Sequence, residues 1–315
     1  MTLQELSLGQ IKAAAERIGP YITRTPVVRS STLSQRLGTN VYLKLEIFQK
    51  TGAFKVRGAL NKMLQLPKGS RVVAVSGGNH GQAVAYVGGV LGLETRVIMP
   101  RDTPENYLNA TRGYGGELVL VENHTEGFAR AAASVKEGWI MAHPFDDLDI
   151  IAGQGTVGLE IVADIPEVTD VIVSVGGGGL MSGVAVAVKE SKPGAKVWGV
   201  ETEGANCMSL ALKAGHPVTL EKMTSVARTL GAPSASEFTL AVAQKYLDGL
   251  EVVSDAEAIS SVKFLLERAK VLTEPAASCT LAAAERLKTR LTKDGHLVLV
   301  LCGGNLSVRE LASWA

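Results

Sequence analysis

Three short apolar runs, each followed by a cluster of glycines, constrain the fold of this chain more than any other feature. The runs occupy residues 71–76 (RVVAVS), 170–175 (DVIVSV) and 296–302 (HLVLVLC), and glycines follow at 77–78, 176–179 and 303–304. Continuous β-branched runs of this length are typical of strands buried on both faces, as in a parallel sheet. The glycines predict a tight turn at the end of each strand.

Helical segments alternate with these runs and with further strand candidates along the chain. The helical segments are residues 81–91, 104–114, 126–137, 155–164, 180–190, 255–269 and 276–291, and the further strands are 41–46, 95–99, 117–121, 139–142 and 196–201. Repeated strand and helix predict an open, doubly wound α/β fold. The 315 residues suffice for two such domains.

Charge and cysteine usage exclude several classes of protein. Thirty-two Lys and Arg against 31 Asp and Glu give a formal net charge of +1, so no general attraction draws the chain to nucleic acid. The longest central apolar stretch, residues 83–93, is shorter than the roughly 20 residues of a membrane span. Cys207, Cys279 and Cys302 form no CxxC pair, which favours a reduced, cytoplasmic protein.

Four consecutive glycines, Gly176, Gly177, Gly178 and Gly179, precede Leu180 and a predicted helix. A glycine-rich turn that leads into a helix offers bare backbone amides to an anion, with the helix dipole behind them. No GxGxxG stands here, and no Gly-Lys pair occurs in the chain, which excludes a P-loop. The pattern therefore favours a small phosphate, such as that of a pyridoxal ring, and a plain tight turn is the alternative.

Two further segments carry candidate reactive groups. In residues 49–59 (QKTGAFKVRGA), Lys55 lies beside Phe54 and near a second cation, Arg57. An apolar, cation-rich setting lowers the pKa of an amine, as a nucleophilic or basic lysine requires, although a solvated lysine is the alternative. In residues 76–83 (SGGNHGQA), the backbone amides suit a carboxylate, while Ser76 and Asn79 could equally be ordinary helix caps.

Together these motifs resemble a known enzyme family. QKTGAFKVRGA, SGGNHGQA, HPFDDLDIIAGQGT, SVGGGGL and LCGGN, in this order and spacing, resemble the fold type II pyridoxal-phosphate enzymes, within them the serine/threonine dehydratase (threonine deaminase) and serine racemase branch. The resemblance covers about residues 8–306. It implies two doubly wound domains with the cofactor in the cleft between them: a large domain of residues 1–59 and 150–315, and a small mobile domain of residues 60–149 that closes over the substrate.

The resemblance also implies a role for each site residue. Lys55 would hold pyridoxal phosphate as a Schiff base and later remove the α-proton of the substrate. The cofactor would further contact Phe54 at its ring, Asn79 at its hydroxyl, Cys302 near its pyridine nitrogen, and Gly176, Gly177, Gly178, Gly179 and Leu180 at its phosphate. The substrate carboxylate would lie among Thr51, Ser76, Gly77, Asn79 and His80. A neutral thiol at Cys302 favours loss of a β-leaving group over transamination.

The chain departs from the family pattern in ways that bear on function. Gly77 stands where racemases carry a serine that acts on the opposite face of the α-carbon, which predicts no efficient racemization. Many relatives bind a metal through a Glu, a carbonyl and an Asp; Glu201 and Ala205 match, but Cys207 replaces the Asp, and a thiol is a poor ligand for Mg²⁺ or Ca²⁺. The divalent-cation site is therefore incomplete. The altered residues 224–238 are a candidate specificity region or ordinary surface variation.

The predicted function is dehydration and deamination of a β-hydroxy amino acid, L-threonine or L-serine by resemblance, to a 2-oxo acid and ammonia. The alternatives are another 3-hydroxy amino acid of the phenylserine or 3-hydroxyaspartate type, a β-replacement synthase or serine racemase on the same scaffold, and a non-catalytic binding protein. We expect a small-molecule amino-acid substrate, no nucleic acid or membrane partner, and a homodimer or higher homo-oligomer.

Overall fold

Two β-sheets organise the protein, in a computed structural model that describes residues 5–314. Strands β1–β10 span, in chain order, Val27–Arg29, Asn40–Leu45, Arg71–Val75, Glu94–Pro100, Glu117–Val121, Ile140–Met141, Asp170–Ser174, Lys196–Thr202, Gly249–Val253 and His296–Leu301. The larger sheet has the order β1-β2-β10-β7-β8-β9 and the smaller one β5-β4-β3-β6. In the described chain the strand pairs are parallel except for the antiparallel edge pair of β1 and β2.

Thirteen α-helices surround these sheets in the described residues. Helices α1–α13 span Leu8–Ile18, Ser31–Leu37, Lys55–Met63, Asn79–Leu91, Glu105–Gly113, His124–Lys136, Leu148–Asp164, Gly179–Ser191, Cys207–Ala214, Glu237–Tyr246, Asp255–Phe264, Pro275–Arg286 and Val308–Ser313. Between residues 5 and 314, none of them is both long and apolar enough to cross a lipid bilayer.

The glycine-terminated runs form buried strands, as the sequence predicts. In β10, Val298 belongs to the same hydrophobic cluster as Val184 of α8, whereas its neighbour Leu299 belongs to a second cluster, with Leu281 of α12, on the other face of the sheet. Alternate residues of one strand therefore enter two hydrophobic cores, and fully burying each such side chain contributes about 1.5–3 kcal/mol. This two-sided packing confirms the doubly wound α/β fold.

The topology brings the ends of several strands to one place. The chain leaves β3 at Val75, β4 at Pro100, β7 at Ser174 and β10 at Leu301, and the segments that follow all border one cavity. In open α/β sheets, ligands bind outside the carboxyl ends of the strands. The fold therefore places residues from distant parts of the sequence around a single candidate site.

Candidate active site

The candidate site is a cavity of about 700 Å³ that contacts segments from both sheets. Residues predicted from the sequence that line it are Phe54, Lys55, Ser76, Gly77, Asn79, His80, Gly176, Gly177, Gly178, Gly179, Leu180 and Cys302. Thr51, Glu201 and Ala205 do not line it. The structure thus gathers four separate sequence motifs into one pocket and leaves the metal candidates outside it.

Lys55 is the first residue of α3, and its amine lies inside the protein. Its Nζ donates a hydrogen bond to the carbonyl oxygen of Pro144 (2.8 Å) and lies 5.1 Å from the centre of the Phe54 ring. Desolvation lowers the pKa of this amine from 10.5 to about 8, although Cys302 and Glu274 oppose the shift. The lysine is therefore a far better nucleophile and base at neutral pH than a solvated lysine.

Arg57 does not act as the sequence suggested. Its side chain is fully buried, and its guanidinium pairs with Glu46 (2.8 Å) and with Glu160 (2.8 Å). Lys44 also pairs with Glu160, at 2.5 Å, so two cations balance two carboxylates. The expectation that Arg57 lowers the pKa of Lys55 is wrong, because its charge is neutralised and burial itself depresses the lysine pKa.

The four glycines connect β7 to the start of α8. Gly178 adopts a left-handed conformation (φ 93°), and a Cβ on Gly177 would overlap the ring of Phe145. In the described chain, the backbone N–H groups of Gly176, Gly177 and Gly178 donate to no protein acceptor. These free amides lie at the positive end of the 13-residue helix α8 and form an anion-binding site, called here the glycine cradle.

Asn79 begins α4 and is held by residues that the sequence analysis missed. Its Nδ2 donates to Glu274 Oε1 (2.8 Å), and its Oδ1 accepts from Asn305 Nδ2 (2.8 Å). Thr229 donates to the same Glu274 oxygen at 2.8 Å. The other oxygen, Oε2, is buried without a partner, and burial raises the pKa of this carboxyl.

The local sequence gave little indication of this network. Glu274 precedes Pro275 at the start of α12, where an acidic residue usually does no more than stabilise the helix N-terminus. Asn305 belongs to the LCGGN motif, whose last residue offered the one available signal. The pairing itself joins positions that are 195 and 226 residues apart, so only the fold reveals it.

The residues predicted to surround a substrate carboxylate fall into two groups. Ser76 and His80 line the cavity; the Ser76 hydroxyl accepts the amide N–H of Gly78 (3.2 Å), and His80 Nε2 bonds the Ala142 carbonyl (2.9 Å). Burial lowers the pKa of His80 to about 3, so the ring is neutral. Thr51 does not line the cavity; it has φ 64° and a buried hydroxyl without a partner in the described chain. Its assignment to the carboxylate stays a prediction.

Cys302 presents a neutral thiol at the end of β10. Its side chain is 4% exposed and its Sγ donates weakly to the Ala276 carbonyl oxygen (3.7 Å). Burial, reinforced by the neighbouring Glu274, raises the pKa of this thiol well above its usual value. The group is therefore uncharged at physiological pH.

The side chains of Glu201 and Cys207 both form hydrogen bonds within the protein. The Glu201 carboxylate accepts the amide N–H groups of Met208 and Ser209 (both 2.8 Å), and burial raises its pKa to about 8. The Cys207 thiol donates to the Gly176 carbonyl oxygen at 3.7 Å. Within residues 5–314 no group of three or more His, Cys, Asp or Glu side chains could hold a metal ion.

The donor set of the cavity suits pyridoxal phosphate. Lys55 offers an amine of depressed pKa to an aldehyde, and Phe54 offers an aromatic surface to a ring. The free amides of Gly176–Gly178 offer hydrogen bonds to a phosphate, and a Cβ on Gly177 would overlap the ring of Phe145, which lines the same cavity. All three chemical parts of the cofactor therefore have a matching feature in one cavity.

Comparison with known proteins agrees with this chemistry. The chain is 39% identical over 311 residues to an L-threonine ammonia-lyase of Thermotoga maritima, covering 97% of this chain and 77% of that one. It is 34% identical over 307 residues to a serine racemase of Schizosaccharomyces pombe, covering 96% and 95%. The structure of maize serine racemase superposes with a TM-score of 0.93 at 31% identity, covering 98% and 97%. A family model described as pyridoxal-phosphate dependent enzyme matches residues 18–303. The chain belongs to the family of pyridoxal-phosphate dependent enzymes.

Proposed function

We propose that the protein dehydrates and deaminates a β-hydroxy amino acid, with L-threonine or L-serine as the substrate, and releases a 2-oxo acid and ammonia. The observation that carries this proposal is the buried Lys55 amine in one cavity with the glycine cradle and the neutral Cys302 thiol. The names of the similar proteins, among them L-threonine ammonia-lyases, support the same reaction class.

Lys55 is the base in this proposal. When bound, pyridoxal phosphate supplies an aldehyde for the substrate amine and a conjugated ring that accepts electrons from the α-carbon. With a pKa of about 8, about a quarter of the Lys55 amines are neutral at pH 7.5, compared with about one in a thousand at a pKa of 10.5. The neutral amine can accept the α-proton at physiological pH.

The other residues of the cavity bind and orient. Gly176, Gly177 and Gly178 hold the phosphate through their free amides, and Phe54 packs against the ring. Asn79 would hydrogen-bond the ring hydroxyl, and Glu274 and Asn305 fix the orientation of its side chain.

The electrostatics of the pocket support elimination over transamination. The Cys302 thiol is uncharged and cannot hold a proton on the ring nitrogen as a carboxylate would. His80 is also neutral, so it binds through hydrogen bonds and not through charge. The absence of a strong stabiliser for negative charge on the ring favours rapid departure of the β-hydroxyl group.

The proposal includes the domain organisation and the assembly. Residues 60–149 would move as a small domain against residues 1–59 and 150–315; in support, the smaller sheet takes its strands only from residues 71–141. Exposed apolar side chains such as Phe48 and Val308 are available for contacts in a homodimer or higher homo-oligomer. Three buried, unpaired cysteines support a cytoplasmic location. Light scattering tests the oligomeric state, and cell fractionation tests the location.

A substrate panel tests the function. The holoenzyme is incubated with L- and D-threonine, L- and D-serine, phenylserine and 3-hydroxyaspartate, and 2-oxo acid and ammonia are measured. We expect equal amounts of both products from L-threonine or L-serine, and far slower formation of D-serine than of 2-oxo acid from L-serine. Lys55→Ala should lose at least about 100-fold in rate, whereas Lys50→Ala, at an exposed lysine in the same segment, should not.

Two results would contradict the proposal. One is an absence of 2-oxo acid from every member of the panel. The other is formation of a new amino acid when a thiol is added, in place of ammonia release, which would indicate a β-replacement synthase.

A further inference from the structure

Thr103 occupies the space that a side chain at Gly77 would need. An ideal Cβ on Gly77 would stand 2.5 Å from Thr103 Oγ1 and 3.4 Å from Pro100 Cδ. The backbone of Gly77 does not have a positive φ, so its conformation does not demand glycine. The Thr103 hydroxyl is therefore what excludes a side chain at position 77.

The Thr103 residue is nearly buried, and its hydroxyl has no protein partner in the described chain. Its backbone N–H donates to the Pro100 carbonyl oxygen (3.1 Å), which fixes the turn between β4 and α5. The residue is 8% exposed and lines the same cavity as Lys55, yet its hydroxyl makes no hydrogen bond within residues 5–314. Because Thr103 lines the cavity and its hydroxyl bonds to no protein group in the described chain, this hydroxyl is free to donate to a ligand bound there.

The surroundings of this hydroxyl favour an anion. The 13-residue helix α4 begins at Asn79, and the amide N–H groups of Gly77 and Asn79 have no acceptor in the described chain. Two free amides thus lie at the positive end of a helix, and the Thr103 hydroxyl lies beside one of them, at Gly77. His80, in the first turn of α4, is neutral and adds no charge.

We propose that the Thr103 hydroxyl donates a hydrogen bond to the carboxylate of the bound amino acid, together with the free amides of Gly77 and Asn79. This inference rests on the proposed function, because the carboxylate belongs to an amino-acid substrate. It assigns a substrate-binding role to Thr103, which lies outside residues 76–83 (SGGNHGQA). The lack of a side chain at Gly77 leaves room for the Thr103 hydroxyl.

Equilibrium binding of L-alanine to the holoenzyme tests this role. L-alanine carries the carboxylate and the amine but no β-hydroxyl, and its binding is followed through the absorbance of the cofactor. Thr103→Val removes the hydroxyl at nearly constant shape and should weaken L-alanine binding and raise the KM for L-serine at least about 10-fold, as expected for a lost hydrogen bond to a charged group. Thr103→Ser should remain within about threefold of the wild type, and cofactor content should be unchanged in both variants.

A transfer of the hydroxyl tests the geometry. Thr103→Ala should bind L-alanine weakly, and Gly77→Ser alone should also bind it weakly because the new Cβ meets Thr103 Oγ1. Gly77→Ser combined with Thr103→Ala places a hydroxyl in nearly the same position from the other segment, and should bind at least about threefold more tightly than Thr103→Ala.

Three results would overturn the assignment: wild-type L-alanine binding in Thr103→Val, a loss confined to L-serine, or a double variant no better than Thr103→Ala. Failure of the proposed function is distinguishable, because the wild type would then bind L-alanine through Thr103 yet release no 2-oxo acid from any hydroxy amino acid.

Discussion

Replacing Arg57 by methionine should destabilise the protein by about 3–5 kcal/mol. The guanidinium makes two hydrogen bonds to Glu46 (both 2.8 Å), two to Glu160 (2.8 and 2.9 Å) and one to Thr156 (3.0 Å). Without it, the carboxylates of Glu46 and Glu160 share a single buried cation, Lys44. Breaking a buried ion pair by removing one partner typically costs 3–5 kcal/mol, since a charge is left uncompensated.

Urea unfolding at pH 7.5 measures this cost. The matched control is Arg24→Met, because Arg24 pairs with Asp164 at the surface, and such a pair should change the free energy of unfolding by less than about 1 kcal/mol. A second variant, Arg57→Met with Glu46→Gln, removes the surplus charge and should recover part of the loss. A loss below about 1 kcal/mol in Arg57→Met, or no recovery in the double variant, would refute the reasoning.

Further predictions concern the pKa of Lys55, the glycine cradle of Gly176–Gly178 and the divalent cation. The pKa of Lys55 is about 8 in the folded protein and 10.5 in the unfolded chain, so the unfolded chain binds more protons between these pH values. The free energy of unfolding of the apoprotein, measured in urea, should therefore rise by up to about 3 kcal/mol from pH 8 to pH 10.5. The Lys55→Met variant should lack this contribution. Gly177→Ala should bind pyridoxal phosphate at least about 10-fold more weakly by absorbance titration, because its Cβ overlaps Phe145, whereas Gly194→Ala meets no atom within 4 Å and should bind it normally. Treatment with a chelator should leave activity within about twofold, since the Glu201 oxygens accept protein amides; a large loss that Mg²⁺ restores would contradict this.

Much of the parallel core could be predicted from the sequence because its signals are local. The run at residues 170–175 becomes strand β7, buried throughout at Asp170–Ser174, and residues 117–121 form β5 with the predicted bounds. The edge strand β9, Gly249–Val253, was missed because most of its residues are only half-buried and carry no continuous apolar pattern.

Helix starts depended on caps and on tertiary packing. Helix α7 begins at Leu148, and not at residue 155, because the Asp147 carboxylate accepts the amide N–H groups of Asp149 (2.9 Å) and Ile150 (3.2 Å). The helical segment predicted over residues 255–269 has the predicted bounds, although its last turn, Leu265–Ala269, is π-helical and not α-helical.

The candidate site divides in the same way. Motifs that follow a strand, such as Gly176–Gly179 and Ser76–His80, could be recognised because a glycine turn before a helix has a known chemistry. Glu274 and Thr103 could not, because their roles depend on contacts with Asn79 and Gly77 that only the folded chain creates. Local pattern therefore indicated the cofactor, and the fold revealed how its site is held.

The most direct test of the account is the covalent attachment of the cofactor. The holoenzyme is reduced with borohydride and digested, and the peptides are mapped by mass spectrometry. We expect a reduced pyridoxyl group on Lys55 and on no other lysine, Lys50 and Lys62 included, and no label in Lys55→Ala. An unmodified Lys55 peptide from protein that carries the cofactor, or a label on another lysine, would contradict the central claim.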